Sequence, residues 1–291
     1  MKYKDKAVTA AKVTIERRNE VVVDVNGPQS QYDAEERCLK IARTKAKYEY
    51  TKNVMQEIIG DCIVEPTRSN IPLDFIVKDK DTDKPIGGIE HFHVSLIYED
   101  NGKSQKSTSK KHEEQTKELF NKYQGTDDQE MLKVAFNEAA TLAADSINDI
   151  REFDYKKYIK HFRHQTEKHF GKIEKYCTTA QCKPDKIAFL IEVVIPNCCP
   201  WNTVDCKTQK FKELPHKDFP IVQDIIDILK SGKAFGIRYI LLIIREEFGN
   251  EFGLVYAFDI DDLEKSCKEQ NITVYECFAP RPHLAIIHII P

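Results

Sequence analysis

No stretch of the sequence approaches the roughly 18 to 20 uninterrupted apolar residues that a membrane-spanning helix needs. Its first residues, MKYKDKAVTAAKVTIERR, are charged where the core of a secretory signal would be apolar, so the expected compartment is the cytoplasm. A glycine-rich phosphate loop, a nucleophile elbow, a dinucleotide fingerprint and the HExxH spacing of a zinc protease are all missing, which argues against four common catalytic classes. There is no internal repeat and no low-complexity tract. Positive charge is not in excess either: 44 Lys and Arg stand against 47 Asp and Glu, a formal net charge of -3. A nucleic-acid partner must therefore be met by a local patch.

What is present is a chain of 291 residues with 41% hydrophobic content, enough for one substantial core and a second subdomain. Its nine cysteines, an odd number without an export signal, read as reduced thiols or metal ligands rather than a disulfide framework. Residues 12–25 look like a hairpin turning near Arg18 and Asn19, and a long helix is expected from about Tyr32 to Ile59, stopped by Gly60. Two or three strands follow, roughly Pro72 to Lys78 and Ile86 to Tyr98, joined by the turn-rich KDKDTDKP. Helices are expected at about Ser109–Tyr123, Asp128–Ile150 and Asp154–Tyr176, the last with Tyr155, Tyr158, Ile159, Phe162, Phe170 and Ile173 on one face. Beyond them, apolar strands alternate with helices: KIAFLIEVVIP, DFPIVQDIIDILKSG, IRYILLIIREEF, GLVYAFDI, DDLEKSCKEQ, NITVYECF and HLAIIHII. That alternation implies an α/β fold, a central mixed sheet flanked by helices.

Within IPLDFIVKDKDTDKPIGGIEHFHVSLI, residues 71–97, Asp74 and Glu90 stand sixteen residues apart on adjacent expected strands. Helix, strand at Asp74, hairpin, strand at Glu90, helix and buried strand form an order that resembles the PD-(D/E)XK nuclease superfamily. PLDF stands where members show PD or PxD, IGGIEHF is similar to their glycine-preceded GIE strand, and the resemblance covers about residues 32–245. It implies a restriction-endonuclease-like core at 32–291, with an N-terminal extension at 1–31 and a helical insertion at about 109–176. It also implies that Asp74 and Glu90 bind Mg²⁺ or Mn²⁺. Hydrolysing a phosphodiester requires charge neutralisation and a hydroxide at neutral pH, and a cation on hard oxygen ligands supplies both. The backbone carbonyl of His91 is a suitable third ligand.

The family lysine two residues after the acid is replaced by Phe92. Alternation puts Glu90 and Phe92 on one face of the strand and His91 and His93 on the other, so neither histidine substitutes for it directly. The lysine then comes from another element, with Lys110 and Lys111 the candidates, or the site is inactive. Glu192, a charge inside an apolar strand, is a further candidate ligand or half of a buried ion pair. Glu36 and Glu57 on the first long helix read as helix surface.

Between Arg151 and Lys175 there are eight Lys or Arg against four Asp or Glu, plus His161, His164 and His169. Lys156, Lys157, Lys160, Arg163 and Lys168 lie opposite the aromatic face and form a basic stripe suited to phosphates, with the histidines read as part of it. Cys177, Cys182, Cys198, Cys199 and Cys206, with His216 nearby, could hold a structural Zn²⁺, but their spacings are not those of a zinc ribbon and free, partly buried thiols are the preferred reading. Cys38, Cys62, Cys267 and Cys277 read as packing residues. The resulting expectation is a Mg²⁺-dependent nuclease acting on DNA, a homodimer if it cuts both strands. The alternative is a non-catalytic nucleic-acid-binding or protein-interaction module on the same fold.

Overall fold

A computed structural model describes residues 11–15, 21–25, 31–67, 71–96, 98–100, 105–107, 114–115, 118–119, 121–123, 128–151, 153–195, 200–215, 217–246 and 253–281. The N-terminal hairpin is formed by β1 (Ala11–Ile15) and β2 (Val21–Val25), paired antiparallel with Ala11 opposite Val25. Two helices follow, α1 (Gln31–Thr44) and α2 (Glu49–Ile59). They take the place of the single expected helix. No proline or glycine marks the break; Tyr48 is extended and stacks on Tyr256 with ring centroids 6.2 Å apart, a tertiary contact that local propensity does not encode.

The central sheet has six strands in the order β13-β12-β8-β5-β4-β3. β3 (Ile63–Pro66), β4 (Phe75–Lys78) and β5 (Pro85–Ser95) form an antiparallel meander. β8 (Ile187–Ile195) then runs parallel to β5, with Glu90 opposite Phe189 and His93 opposite Glu192. β12 (Tyr239–Glu246) is parallel to β8, and β13 (Leu254–Asp259) returns antiparallel. Every residue of β8 is buried, as a near-continuous apolar run covered on both faces requires. The expected α/β class with a mixed sheet flanked by helices is observed, and among the described residues no helix is long and apolar enough to cross a membrane.

Two apolar layers cover the sheet. On one face Phe75, Val77, Ile89, Leu190, Leu241 and Ile243 pack under Cys38, Leu39 and Ile41 of α1 and Val54 and Met55 of α2. On the other face Phe92, Phe189, Ile191 and Leu242 meet three helices. These are α4 (Tyr155–Phe170), α5 (Ile173–Ala180) and α6 (Gln223–Lys230). α4 and α5 replace the single helix expected at 154–176. Because they pack directly on the sheet, the second half of the expected insertion is part of the core layer. α3 (Gln129–Arg151) matches its expected span, whereas most of 109–123 lies outside the described residues.

A second sheet has the order β10-β9-β14-β11. Its strands are β9 (Trp201–Asp205), β10 (Phe211–Leu214), β11 (Ile221–Val222) and β14 (Val274–Pro280). Trp201, Tyr158, Phe219 and Phe278 join it to α4, each ring meeting Phe278 at 5.5 to 5.6 Å. Short β7 (Gln105–Ser107) pairs with β6 (Tyr98–Asp100), and α7 (Leu263–Glu269) packs beside β13. The terminal segment HLAIIHII lies outside the described residues.

The glycine pair of β5 positions the site. A Cβ on Gly87 would come within 2.8 Å of the Lys186 carbonyl oxygen, and one on Gly88 within 2.4 Å of Leu73 Cδ2. Only glycine lets the lead-in to β4 and the turn before β8 approach β5 this closely.

Candidate functional site

That close approach brings Asp74 to Glu90. Thr67 N–H donates to the Asp74 carbonyl at 2.8 Å and the Thr67 hydroxyl donates to the Leu73 carbonyl, pinning the residues that precede β4. Asp74 Oδ2 accepts the backbone N–H of His91 at 2.6 Å. The carboxyl groups of Asp74 and Glu90 are close enough for the charge of Glu90 to act on Asp74. Since N–H and C=O of a strand residue point to the same side, the His91 carbonyl shares the edge of β5 that Asp74 occupies.

Two carboxylates this close oppose one another's ionisation, and a cation between them relieves that opposition. Burial, then the charge of Glu90, raises Asp74 from 3.8 to about 6. Burial raises Glu90 from 4.5 to about 7, against the opposing pull of the Tyr176 hydroxyl, Lys172 and His91. Glu90 is only 5% exposed. Its Oε1 accepts from Tyr176 Oη at 2.7 Å and lies 2.8 Å from His169 Nδ1, while its Oε2 is buried with no donor.

The face opposite β5 is supplied by the junction of α4 and α5. Gly171 interrupts the helix, so His169 at the end of α4 and Tyr176 in α5 both reach one carboxylate oxygen. Burial and the charges of Lys172 and Lys168 push His169 down to about 3, leaving a neutral ring. That ring lies face to face on Phe92, centroids 4.2 Å apart and planes 12° apart. Phe92, at the position where a lysine is expected, is thus a platform for His169. Lys110 and Lys111 lie outside the described residues. Lys172, half-buried beside the junction, is a lysine whose charge acts on Glu90. His169, Lys172 and Tyr176 follow one another at three and four residues, the spacing of a single helical face, and this was the signal for them in the sequence.

The histidines do not form one stripe. His161 is buried and pushed down to about 4 chiefly by burial, and His169 faces Glu90; His164 alone of the three is exposed. Lys156, Lys157, Lys160, Arg163 and Lys168 are all exposed on α4, as the alternation of its apolar face requires.

Glu192 does not join Asp74 and Glu90. Alternation along β8 turns Phe189 and Ile191 toward α4, and Ala188, Leu190 and Glu192 toward α1 and α2, the opposite side of the sheet. There Glu192 Oε1 accepts from Arg245 Nε and its Oε2 lies 3.2 Å from His91 Nε2. Burial opposes its ionisation, but Arg245 and His91 outweigh it and hold Glu192 well below the usual carboxylate range. Glu57 is exposed and accepts from the Tyr239 hydroxyl; Glu36 is exposed on α1.

Of the expected zinc cysteines, Cys177, Cys182 and Cys206 are among the described residues. Cys177 and Cys182 touch at the end of α5, while Cys206 follows β9 and neighbours Cys277; burial raises the thiols of all four. Cys198, Cys199 and His216 lie outside the described residues. Among the described residues the group of three His, Cys, Asp or Glu ligands that could share an ion is Cys38, His91 and Glu192. Comparison with protein-family models, curated proteins and solved structures finds no match to this chain.

Proposed function

We propose that this protein is a metal-dependent nuclease that hydrolyses DNA phosphodiesters on a restriction-endonuclease-like core, with Asp74 and Glu90 holding Mg²⁺ or Mn²⁺. The observation that carries the reading is the nearness of Asp74 and Glu90: one carboxyl from the residue just before β4 and one from β5, with Glu90 Oε2 buried and lacking a donor among the described residues. The helix, antiparallel meander, helix and parallel strand around them match the order expected from the sequence. The donor set fits a hard cation, since Asp74, Glu90 and the His91 carbonyl all offer oxygen. When bound, such an ion neutralises phosphate charge and provides hydroxide at neutral pH.

The chain's own side chains have distinct parts in this reading. Tyr176 donates to Glu90 Oε1 and fixes the rotamer that leaves Oε2 free. With Glu90 ionised, the neutral His169 carries its proton on Nδ1 and keeps Nε2 as a proton acceptor. Lys172 supplies the positive charge that Phe92 does not. The exposed lysines and arginine of α4 hold the phosphate backbone, a contact without base specificity.

The test is incubation with supercoiled plasmid and Mg²⁺ or Mn²⁺. Metal-dependent nicking that is lost in D74A and E90A is expected, and cleavage that survives both substitutions sinks the assignment. DNA binding without cleavage at any divalent ion would favour a binding module instead.

A further inference from the structure

On the opposite face of the sheet, we infer that Cys38, His91 and Glu192 form a second metal site, for a borderline transition ion such as Zn²⁺, independent of the nuclease reading. The Cys38 thiol, an imidazole nitrogen of His91 and a carboxylate oxygen of Glu192 all lie within 4.8 Å of one another. His91 Nε2 and Glu192 Oε2 are 3.2 Å apart. Two ligands on a tetrahedral ion with bonds of about 2.0 to 2.2 Å stand roughly 3.3 Å apart, so this pair is already at coordination distance. The sulfur needs a longer bond of about 2.3 Å, which sets it roughly 3.5 Å from the other ligands, so the 4.8 Å bound leaves at most about 1.3 Å of closure.

Three rigid elements deliver the ligands: α1 brings Cys38, β5 His91 and β8 Glu192. β5 and β8 are paired in register, with His93 opposite Glu192, so His91 and Glu192 are diagonal neighbours on one face. Arg245, on β12 next to β8, donates to the other oxygen of Glu192 and orients the carboxylate, the outer-shell arrangement that ligating carboxylates use.

The surroundings decide between the uses such residues can have. Cys38 is 0% exposed and Glu192 3%, so no substrate reaches the thiol and a nucleophilic role is excluded; a bare cation needs no such access. Their neighbours Ile41, Ile89, Leu190 and Ile243 form an apolar layer, in which Arg245 holds one oxygen of Glu192 and leaves the other to His91 and the adjoining Cys38 thiol. Sulfur, nitrogen and oxygen together suit Zn²⁺ and not Mg²⁺, so the two faces of β5 select different ions. Adjacent residues of one strand, Glu90 and His91, serve the two sites.

Titrating Co²⁺ into the metal-free protein reads this site directly. Expected is a thiolate-to-cobalt charge-transfer band with intense visible bands of low coordination number, saturating at about one ion per chain. It persists in D74N, in E90Q and in C177S/C182S, and is lost in C38S and C38A, whose folding is followed by circular dichroism. Cobalt bound at Asp74 and Glu90 has no sulfur ligand and gives no such band, so failure of either site is seen separately. Absence of the thiolate band in the wild-type protein, or its survival in C38S, overturns the inference.

Discussion

Asp74 is raised to about 6 and Glu90 to about 7, both above their ordinary 3.8 and 4.5, because both are buried and Asp74 also lies beside the charge of Glu90. A carboxyl raised on folding favours its protonated form, so its contribution to stability is complete below about pH 4 and is lost as pH rises through 6 to 7. The metal-free protein should therefore lose stability between about pH 4 and 7. D74N removes one of the two charges and should stabilise the metal-free protein at pH 8 by roughly 1–2 kcal/mol, as thermal denaturation can measure. Mg²⁺ should raise the melting temperature of the wild type at pH 8 and leave that of D74N unchanged. Lys172 belongs to the same scale: K172A should lower single-turnover cleavage by about 10² to 10³-fold while shifting unfolding by less than about 1 kcal/mol, since the side chain is half-buried and not part of the core. Asp74 and Glu90 were legible in the sequence because each acid interrupts an apolar strand beside a turn or a glycine pair. Glu192 was legible as a residue needing a partner, but polarity within a strand does not say which face it occupies; the register with β5 decides that.

Among elements, α4 carries the most weight in the proposed function. Its inner face anchors both sheets and its outer face presents Lys156, Lys157, Lys160, Arg163 and Lys168 to solvent. Replacing Lys156, Lys160 and Arg163 together by alanine should weaken binding to any duplex sequence alike. It should also flatten the plot of log affinity against log salt by roughly 2–3, as fits three lost phosphate contacts. Fluorescence anisotropy across a salt series measures both effects. The β5 glycines act by a different route. In G87A the new Cβ meets the Lys186 backbone oxygen, which cannot rotate away, so a loss of about 1–3 kcal/mol in urea denaturation is expected. Strand β8 and helix α3 could be read from periodicity alone. The breaks at Tyr48 and Gly171 could not be read equally well: Gly171 leaves a trace in the sequence, whereas the Tyr48 break follows from a ring on β13 two hundred residues away.

Over the whole molecule, one six-stranded sheet separates two sets of polar residues that the sequence places side by side. Glu90 faces Asp74, His169 and Tyr176 under α4 and α5; His91 faces Cys38 and Glu192 under α1. The order of elements around Asp74 and Glu90 was apparent from the sequence because each is long and strongly patterned. The second sheet was not, since its strands lie in the short cysteine-rich stretch after β8 and one of them pairs with β14 some seventy residues later. The central claim is that the Asp74–Glu90 pair exchanges a shared proton for a divalent cation. Mn²⁺ binding followed by electron paramagnetic resonance from pH 5 to 8 tests it most directly. The account predicts affinity that strengthens as pH rises through about 6 to 7 and is lost in both D74N and E90Q. Mn²⁺ affinity that is independent of pH, or unchanged in those two variants, would contradict it.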